Sequence, residues 1–405
     1  MTSLLPTEPP PGPTRPDFWR SPLRGRWLTT VLGTTLLCGV AVVALTGFLS
    51  HAAYQPSLGA NGIVPVDRDL VLIPWPTSPS WLYVLTQGLH VTGGIVIVPL
   101  LLAKLWSVIP RLYAWPPVAG PADALGRVAT LALVGSALFQ FATGITNVQL
   151  YYPWHFDFVV AHYYGAWVFL AALALHIGVQ LPTMRQAWTT RDEVAAVTGA
   201  DHLRAPAPGE TTISRRGLFA FVGGASGLLF LTTAGQSIGG AARQLAIFAP
   251  RGRGESFPVN KTASVAKVTP AMVGAMWRLE LSGDRALRLS REELLAMEQH
   301  TYALPIACVE GWSTTQTWTG VRLRDLAALA GVPDAEQVRT SSLQPRGRFR
   351  RATLGHAQVH DERSLLALRV NGEDLPLDHG YPARIIVPAL PGVHCTKWVK
   401  GLAFS

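Results

Sequence analysis

Three histidines lie inside long stretches that contain no charged residue: His90 between Trp81 and Ala103, and His162 and His176 between Phe158 and Leu181. An imidazole is costly to bury in hydrocarbon and is a good ligand for iron, so such residues are functional candidates by default. The plainer uses are hydrogen bonds between helices or the wall of a quinone pocket. On a helix, the 14-residue step from His162 to His176 is close to four turns, which puts both on nearly one face about 21 Å apart. His51 and His155 fall near the ends of apolar stretches, where facing water is the simple reading. A different candidate is Cys308, in Leu304-Pro-Ile-Ala-Cys308-Val-Glu-Gly-Trp-Ser313. A thiolate is a soft metal ligand once deprotonated, whereas an isolated cysteine more often packs as a small apolar group.

The elements that must position these groups follow from hydropathy. The 405 residues are 49% hydrophobic, with a mean hydropathy of +0.25, more apolar than a soluble enzyme requires. Trp27 to Tyr54, Trp81 to Ala103, Val128 to Leu150 and Phe158 to Leu181 are each uncharged and long enough to cross a bilayer. A fifth stretch, Gly217 to Ala242, is richer in glycine. The formal charge of +9 follows this pattern. With a cytoplasmic N-terminus, the inside segments carry Arg15, Arg20, Arg24, Arg26, Lys104, Arg111, Arg127, Arg185, Arg191, Arg204, Arg215 and Arg216, and the outside loops between the first four spans carry only Arg68. That asymmetry predicts a multi-pass protein of the cell membrane, in contact with the lipid bilayer, whose residues beyond the fifth span are extracytoplasmic. The basic excess is then topology and not a nucleic-acid site.

The expected division is a disordered, Pro-rich cytoplasmic arm (1–26), a four-helix membrane domain (27–181), a cytoplasmic linker (182–213), a fifth membrane helix (214–242) and an extracytoplasmic domain (243–405). Trp75, Trp81 and Tyr83 flank the second span as expected interfacial anchors. Ser214-Arg215-Arg216-Gly217-Leu218-Phe219 looks like an internal twin-arginine export signal, with ordinary positive-inside anchoring as the alternative.

The histidine pattern resembles four-helix b-type cytochromes, which hold one haem near each membrane surface between imidazoles of facing helices. The resemblance implies haem b. With span centres near Gly94 and Leu170, His90 lies about 6 Å and His162 about 12 Å toward the outside, so these two form the better pair. His176 lies about 9 Å toward the inside with no second histidine at its depth, which leaves either a non-histidine ligand or a different pairing.

Beyond residue 243 the chain alternates short strands and helices: Trp277 to Leu281 and Ala383 to Val387 as strands, Ser290 to Met297 and Arg324 to Ala330 as helices. The predicted class is an all-α transmembrane bundle followed by an α+β domain. Two blocks carry a resemblance. One is Leu304 to Ser313 continuing to Trp318-Thr-Gly-Val-Arg-Leu-Arg-Asp325. The other runs Asn371-Gly-Glu-Asp-Leu-Pro-Leu-Asp-His-Gly-Tyr-Pro-Ala-Arg384, through Pro388-Ala-Leu-Pro-Gly-Val-His394-Cys-Thr-Lys397-Trp398. Together they resemble the sulfite oxidase superfamily of molybdopterin enzymes over about 150 residues, without that family's usual C-terminal immunoglobulin-like dimerisation domain.

The resemblance implies Cys308 as the molybdenum ligand, Arg384 and Lys397 as contacts to the pterin phosphate, His394 at a position where the family commonly has a basic residue, and Asn260 as a further pterin contact. A Cys308–Cys395 disulfide is the rival use of the same thiols, since both would lie on the oxidising side. Arg346-Gly-Arg-Phe-Arg-Arg351 is either a collector of anionic substrate or a solvated loop. The function expected is a membrane-bound oxygen-atom-transfer oxidoreductase, oxidising sulfite or reducing a sulfoxide, with electrons passed through haem b to or from a quinone or another membrane partner. The alternatives are a haem-carrying electron-transfer subunit, or a membrane-anchored binding module, whose molybdopterin fold is not catalytic.

Overall fold

The computed structural model describes residues 8–118, 120–190, 203, 205–251 and 256–405. The start of the N-terminal arm and residues 191–202 and 204 of the expected linker, including Arg191 and Arg204, lie outside the described residues.

Six long or paired helices form first: α1 (Arg26–Ala52), α2 (Leu82–Val96), α3 (Val98–Leu112), α4 (Pro121–Val148), α5 (Phe158–Thr190) and α6 (Arg215–Leu231). Among the described residues, four helical segments are long and apolar enough to cross a membrane, or five if α2 and α3 together form one span. The single second span expected from Trp81 to Ala103 is instead broken at Ile97, where α2 and α3 bend by 41°. Pro99 is the cause: it has no N–H to give to the preceding turn, and its ring crowds the carbonyl four residues back. α5 runs past the expected end at Leu181, through Pro182, to Thr190.

The chain divides into two compact units whose limits differ from the hydropathy division. One comprises residues 1–44 and 92–231, the other 45–91 and 232–405. In the first, α4 and α5 pair as neighbours, and Leu23, Leu28, Leu32, Ala103 and Val222 form a small core. Large apolar side chains such as Leu131 (60% exposed), Val179 (63%) and Phe221 (71%) face outward along its helices.

The second unit is α+β, as expected. After the short α7 (Gly235–Ile238) and α8 (Ala263–Ala266), β1 (Leu279–Ser282) and β2 (Ala286–Leu289) form a hairpin. There follow α9 (Arg291–Ala296), β3 (His300–Ala307), β4 (Ser313–Arg322), α10 (Leu323–Leu329), β5 (Gln337–Ser342), β6 (Arg351–Gly355), α11 (His356–His360), β7 (Leu365–Val370), β8 (Glu373–Asp374), β9 (Arg384–Ile386) and β10 (Val399–Phe404). Ser290 starts α9 with a capping box to Glu293. One sheet has the order β2-β1-β10-β5-β6, the other β3-β4-β7-β8 with β9 also on β7. Trp318, Leu323, Leu366, Ile385 and Leu402 lie in the core around these sheets.

That core also takes in Ala52 and Ala53 from the end of the expected first span, Trp75 from the expected outside loop and Tyr83 from the start of the expected second span. Trp75 and Tyr83 are therefore not interfacial anchors. Both are buried, at 6% and 1% exposure, and the Trp75 indole donates to the Ala389 carbonyl at 2.7 Å. His51 does not face water either: it is buried and its Nε2 lies 2.7 Å from the buried Asp69 carboxylate. A buried indole or imidazole needs a polar partner, and Ala389 and Asp69 supply them.

Candidate active site

Cys308 follows the last residue of β3 and opens a five-residue turn to β4. The Cys308 N–H donates to the Trp312 carbonyl at 2.9 Å, and the Gly311 N–H to the Cys308 carbonyl at 3.0 Å. Gly311 holds φ at +93°, a conformation that other residues adopt only with strain. The Glu310 carboxylate is fixed by the Trp312 indole at 3.1 Å and by Arg251. A second loop, between β9 and β10, approaches the turn closely: the Gly392 N–H donates to the Ala307 carbonyl at 2.8 Å. A Cβ on Gly392 would lie 3.1 Å from that carbonyl oxygen, so the position favours glycine.

These loops form a cleft, open to solvent, lined by Phe257, Asn260, Cys308, Trp312, His379 and Arg384 among others. Cys308, Asn260 and Arg384, three of the residues singled out in the sequence, thus share one cleft. His394 and Lys397 are not among its lining residues. The Lys397 ammonium donates to the Lys261 carbonyl and, at 2.9 Å, to the Asp378 carbonyl, and lies 4.6 Å over the Trp398 ring. His394 is fully buried with both ring nitrogens unpartnered, and its ring meets Tyr54 edge-on at 5.5 Å. The basic run from Arg346 is an exposed loop, although its Phe349 ring lies 6.2 Å from that of His394.

The electrostatics of the cleft ask for an anion. Arg384 is 4% exposed; one amino group donates to the His379 carbonyl at 3.1 Å, and Nε has no partner. Burial lowers its pKa to about 10, with no carboxylate paired to it. Burial, then the Arg384 charge, lowers Lys397 to about 7, and the same two causes lower His379 to about 4. The His379 imidazole is stacked on Phe257 with ring centres 3.6 Å apart. Burial first, and the nearby Glu310 second, push the Cys308 thiol up to about 12. Without a metal this thiol stays protonated; a metal ion is what turns it into a thiolate. A buried guanidinium without a carboxylate, its Nε unpartnered, beside a thiol of this kind fits an anionic cofactor that brings its own metal.

Cys308, Cys395 and Cys38 are all free thiols, so no disulfide competes for Cys308. Among the described residues no cluster of three or more His, Cys, Asp or Glu side chains is arranged to bind a metal ion.

His379 and Phe257 went unnoticed as site residues in the sequence. His379 stands inside the second motif block, and a histidine two residues before the Tyr-Pro of such a block was the available signal. Phe257 carried none. The membrane histidines are placed as follows. His90, on α2, sets its ring against Gly47 so closely that a Cβ there would lie 2.7 Å from it. His162, on α5, has Nδ1 3.0 Å from the Thr143 hydroxyl and its ring against Gly144. His176, on the same helix, is half-buried.

The family model described as "Oxidoreductase molybdopterin binding domain" matches residues 266–405. The chain is 34% identical over 161 residues to "Uncharacterized oxidoreductase YuiH" of Bacillus subtilis, which covers 37% of this chain and 74% of that one. It is 30% identical over 168 residues to a nitrate reductase [NADH] of Volvox carteri, 34% of this chain and 19% of that one. It is 32% identical over 143 residues to the mitochondrial sulfite oxidase of Mus musculus, 29% of this chain and 26% of that one. The chain thus spans most of the bacterial relative but about a quarter or less of these two longer enzymes. The cleft around Cys308 lies in the matched region, and the chain belongs to the molybdopterin-binding oxidoreductase family as a molybdenum-dependent oxidoreductase.

Proposed function

We propose that the protein is a membrane-bound enzyme that transfers an oxygen atom to or from a small anionic or sulfoxide substrate, exchanging the electrons with a membrane quinone through haem b. The observation that carries the enzymatic half is the shared cleft of Cys308, Asn260 and Arg384 with its unpartnered cationic donor. When bound there, the molybdenum cofactor supplies two-electron oxygen-atom exchange between substrate and water. Cys308 holds the metal as a thiolate, and Arg384 and Lys397 bind the negative end of the cofactor. Neutral His379, stacked on Phe257, closes one wall, and Trp312 and its neighbours keep bulk water from the thiol. Relatives named for sulfite and nitrate both act on small oxyanions, which favours an anion here.

The membrane half is supported by helices of sufficient length with outward apolar faces. Exposed bands of this size would be unfavourable in water and are satisfied by lipid. Haem b is supported by histidines that lie on apolar helices. The hydrogen bond of His162 Nδ1 to Thr143 is the orienting contact that a ligating imidazole needs.

Purified full-length protein is expected to contain molybdenum by elemental analysis and haem b by its pyridine haemochrome spectrum. Either sulfite reduces that haem or methionine sulfoxide oxidises it. Cys308→Ser is expected to lose the molybdenum and both reactions while keeping the haem; full turnover in that variant would overturn the assignment.

A further inference from the structure

Where the chain leaves α1, enters α2 and follows α6, the second compact unit carries exposed apolar side chains on a fixed backbone. After α1, the buried Asp69 carboxylate holds His51, in the last turn of that helix, at 2.7 Å and accepts from the Val71 N–H at 3.0 Å. The buried Trp75 indole fixes the other end of the stretch in the core. Between these two points Leu72 and Ile73 are 54% and 49% exposed. After α6, the Phe248 N–H donates to the Thr232 carbonyl at 3.2 Å, and Ala246 and Ala249 are buried, whereas Leu245 and Ile247 are 57% and 46% exposed. The first turns of α2 have two faces. Tyr83, Gln87 and Val91, four residues apart, are buried; Trp81, Leu85 and Leu89, at the same spacing, are 53%, 45% and 44% exposed.

Residues 70–81 and 244–250 contain no charged side chain. Exposed apolar surface of this kind is unfavourable in water, and here it lies at the ends of helical segments long and apolar enough to cross a membrane. We propose that these three segments form a lipid-contacting belt on the second unit, seated on the bilayer surface around the ends of the spans. The proposal rests on the reading of those helices as membrane spans. The buried face of α2 meets the turn of the candidate site: the Gln87 amide donates to the Val309 carbonyl at 2.6 Å, and Val91 packs beside Gly311. With lipid on the opposite face of α2, the Cys308 turn stands about one helix diameter, roughly 10 Å, from the bilayer. The belt thereby keeps the metal ligand at the membrane surface and not out in the aqueous space.

The test reads where each segment sits, in full-length protein reconstituted in phosphatidylcholine vesicles. In a Cys38→Ser background the remaining thiols, Cys308 and Cys395, are buried, so a thiol-reactive fluorophore marks one introduced cysteine at a time. Leu72→Cys, Leu85→Cys and Ile247→Cys each replace an exposed side chain. Their labels are expected to lose most of their fluorescence to lipids that carry a nitroxide just below the headgroup, and almost none to iodide in the buffer. Met276→Cys, 85% exposed on the same unit, is expected to show the reverse. Iodide quenching at Leu72→Cys or Ile247→Cys, as at Met276→Cys, overturns the belt. Shielding from both quenchers at either position overturns it too, because protein and not lipid then covers that surface. Val179→Cys, on α5, separates the proposal from the membrane reading on which it rests. Lipid quenching there without lipid quenching at Leu72→Cys and Ile247→Cys sinks the belt alone; no lipid quenching at Val179→Cys sinks both.

Discussion

At the scale of single residues, the site is a set of buried polar groups that the protein alone leaves incomplete. Arg384 is the clearest: a buried guanidinium with an unpartnered Nε and no carboxylate is a destabilising feature unless a ligand completes it. Arg384→Met is therefore expected to leave the cofactor-free protein as stable as before or more so. It should also weaken cofactor retention about ten- to a hundredfold, for a charged hydrogen bond worth roughly 1.5–3 kcal/mol. Thermal unfolding of the apoprotein and molybdenum per chain after gel filtration measure the two signs; a less stable apoprotein with full molybdenum would reject the assignment. His394 gives a pH signature. Burial lowers it from an ordinary 6.5 to about 3, so in that window the unfolded chain binds a proton that the folded one does not. Stability then rises with pH between about 3 and 6.5 and is lost on acidification. His394→Leu is expected to shrink the acid-side fall of the apoprotein melting temperature, and an unaltered slope would show that other groups govern it.

At the scale of elements, the turn between β3 and β4 does the positioning. Its closure by Cys308 and Trp312 needs the positive φ of Gly311, and the space beside that residue is taken by Val91. Gly311→Ala is expected to cost roughly 1–3 kcal/mol in backbone strain. It should also lower molybdenum occupancy, because the strained residue lies three positions from the ligand. Denaturant unfolding and metal analysis on one preparation check both, and a variant with wild-type stability would show that the turn tolerates a Cβ. The start of α9 at Ser290 was legible in the sequence because cap chemistry is local, and two of the strands, near Leu279 and Arg384, were read from their apolar runs. The break between α2 and α3 was not, although Pro99 announces it, because hydropathy averaged over a window hides one missing N–H.

At the scale of the whole molecule, the charge asymmetry predicts a C-terminal domain outside the cytoplasm. Protease added to intact spheroplasts is expected to remove a C-terminal tag, and the helical part is expected to stay with membranes through an alkaline wash. Protection of the tag until lysis would reverse the orientation. The sequence by itself determined the apolar helices, the α+β character of the last 160 or so residues, and Cys308, Asn260 and Arg384 as candidates, since periodicity, composition and motif order are written along the chain. Only the tertiary structure decided that residues 45–91 belong with the C-terminal domain. Their hydropathy reads as span ends and loop, but their polar groups find partners far along the chain: Asn61 on the Thr353 backbone, Trp75 on Ala389, Gln87 on Val309. Such pairings join positions more than 200 residues apart, and no local pattern records them, because a buried donor requires an acceptor in space and not at any fixed spacing in sequence.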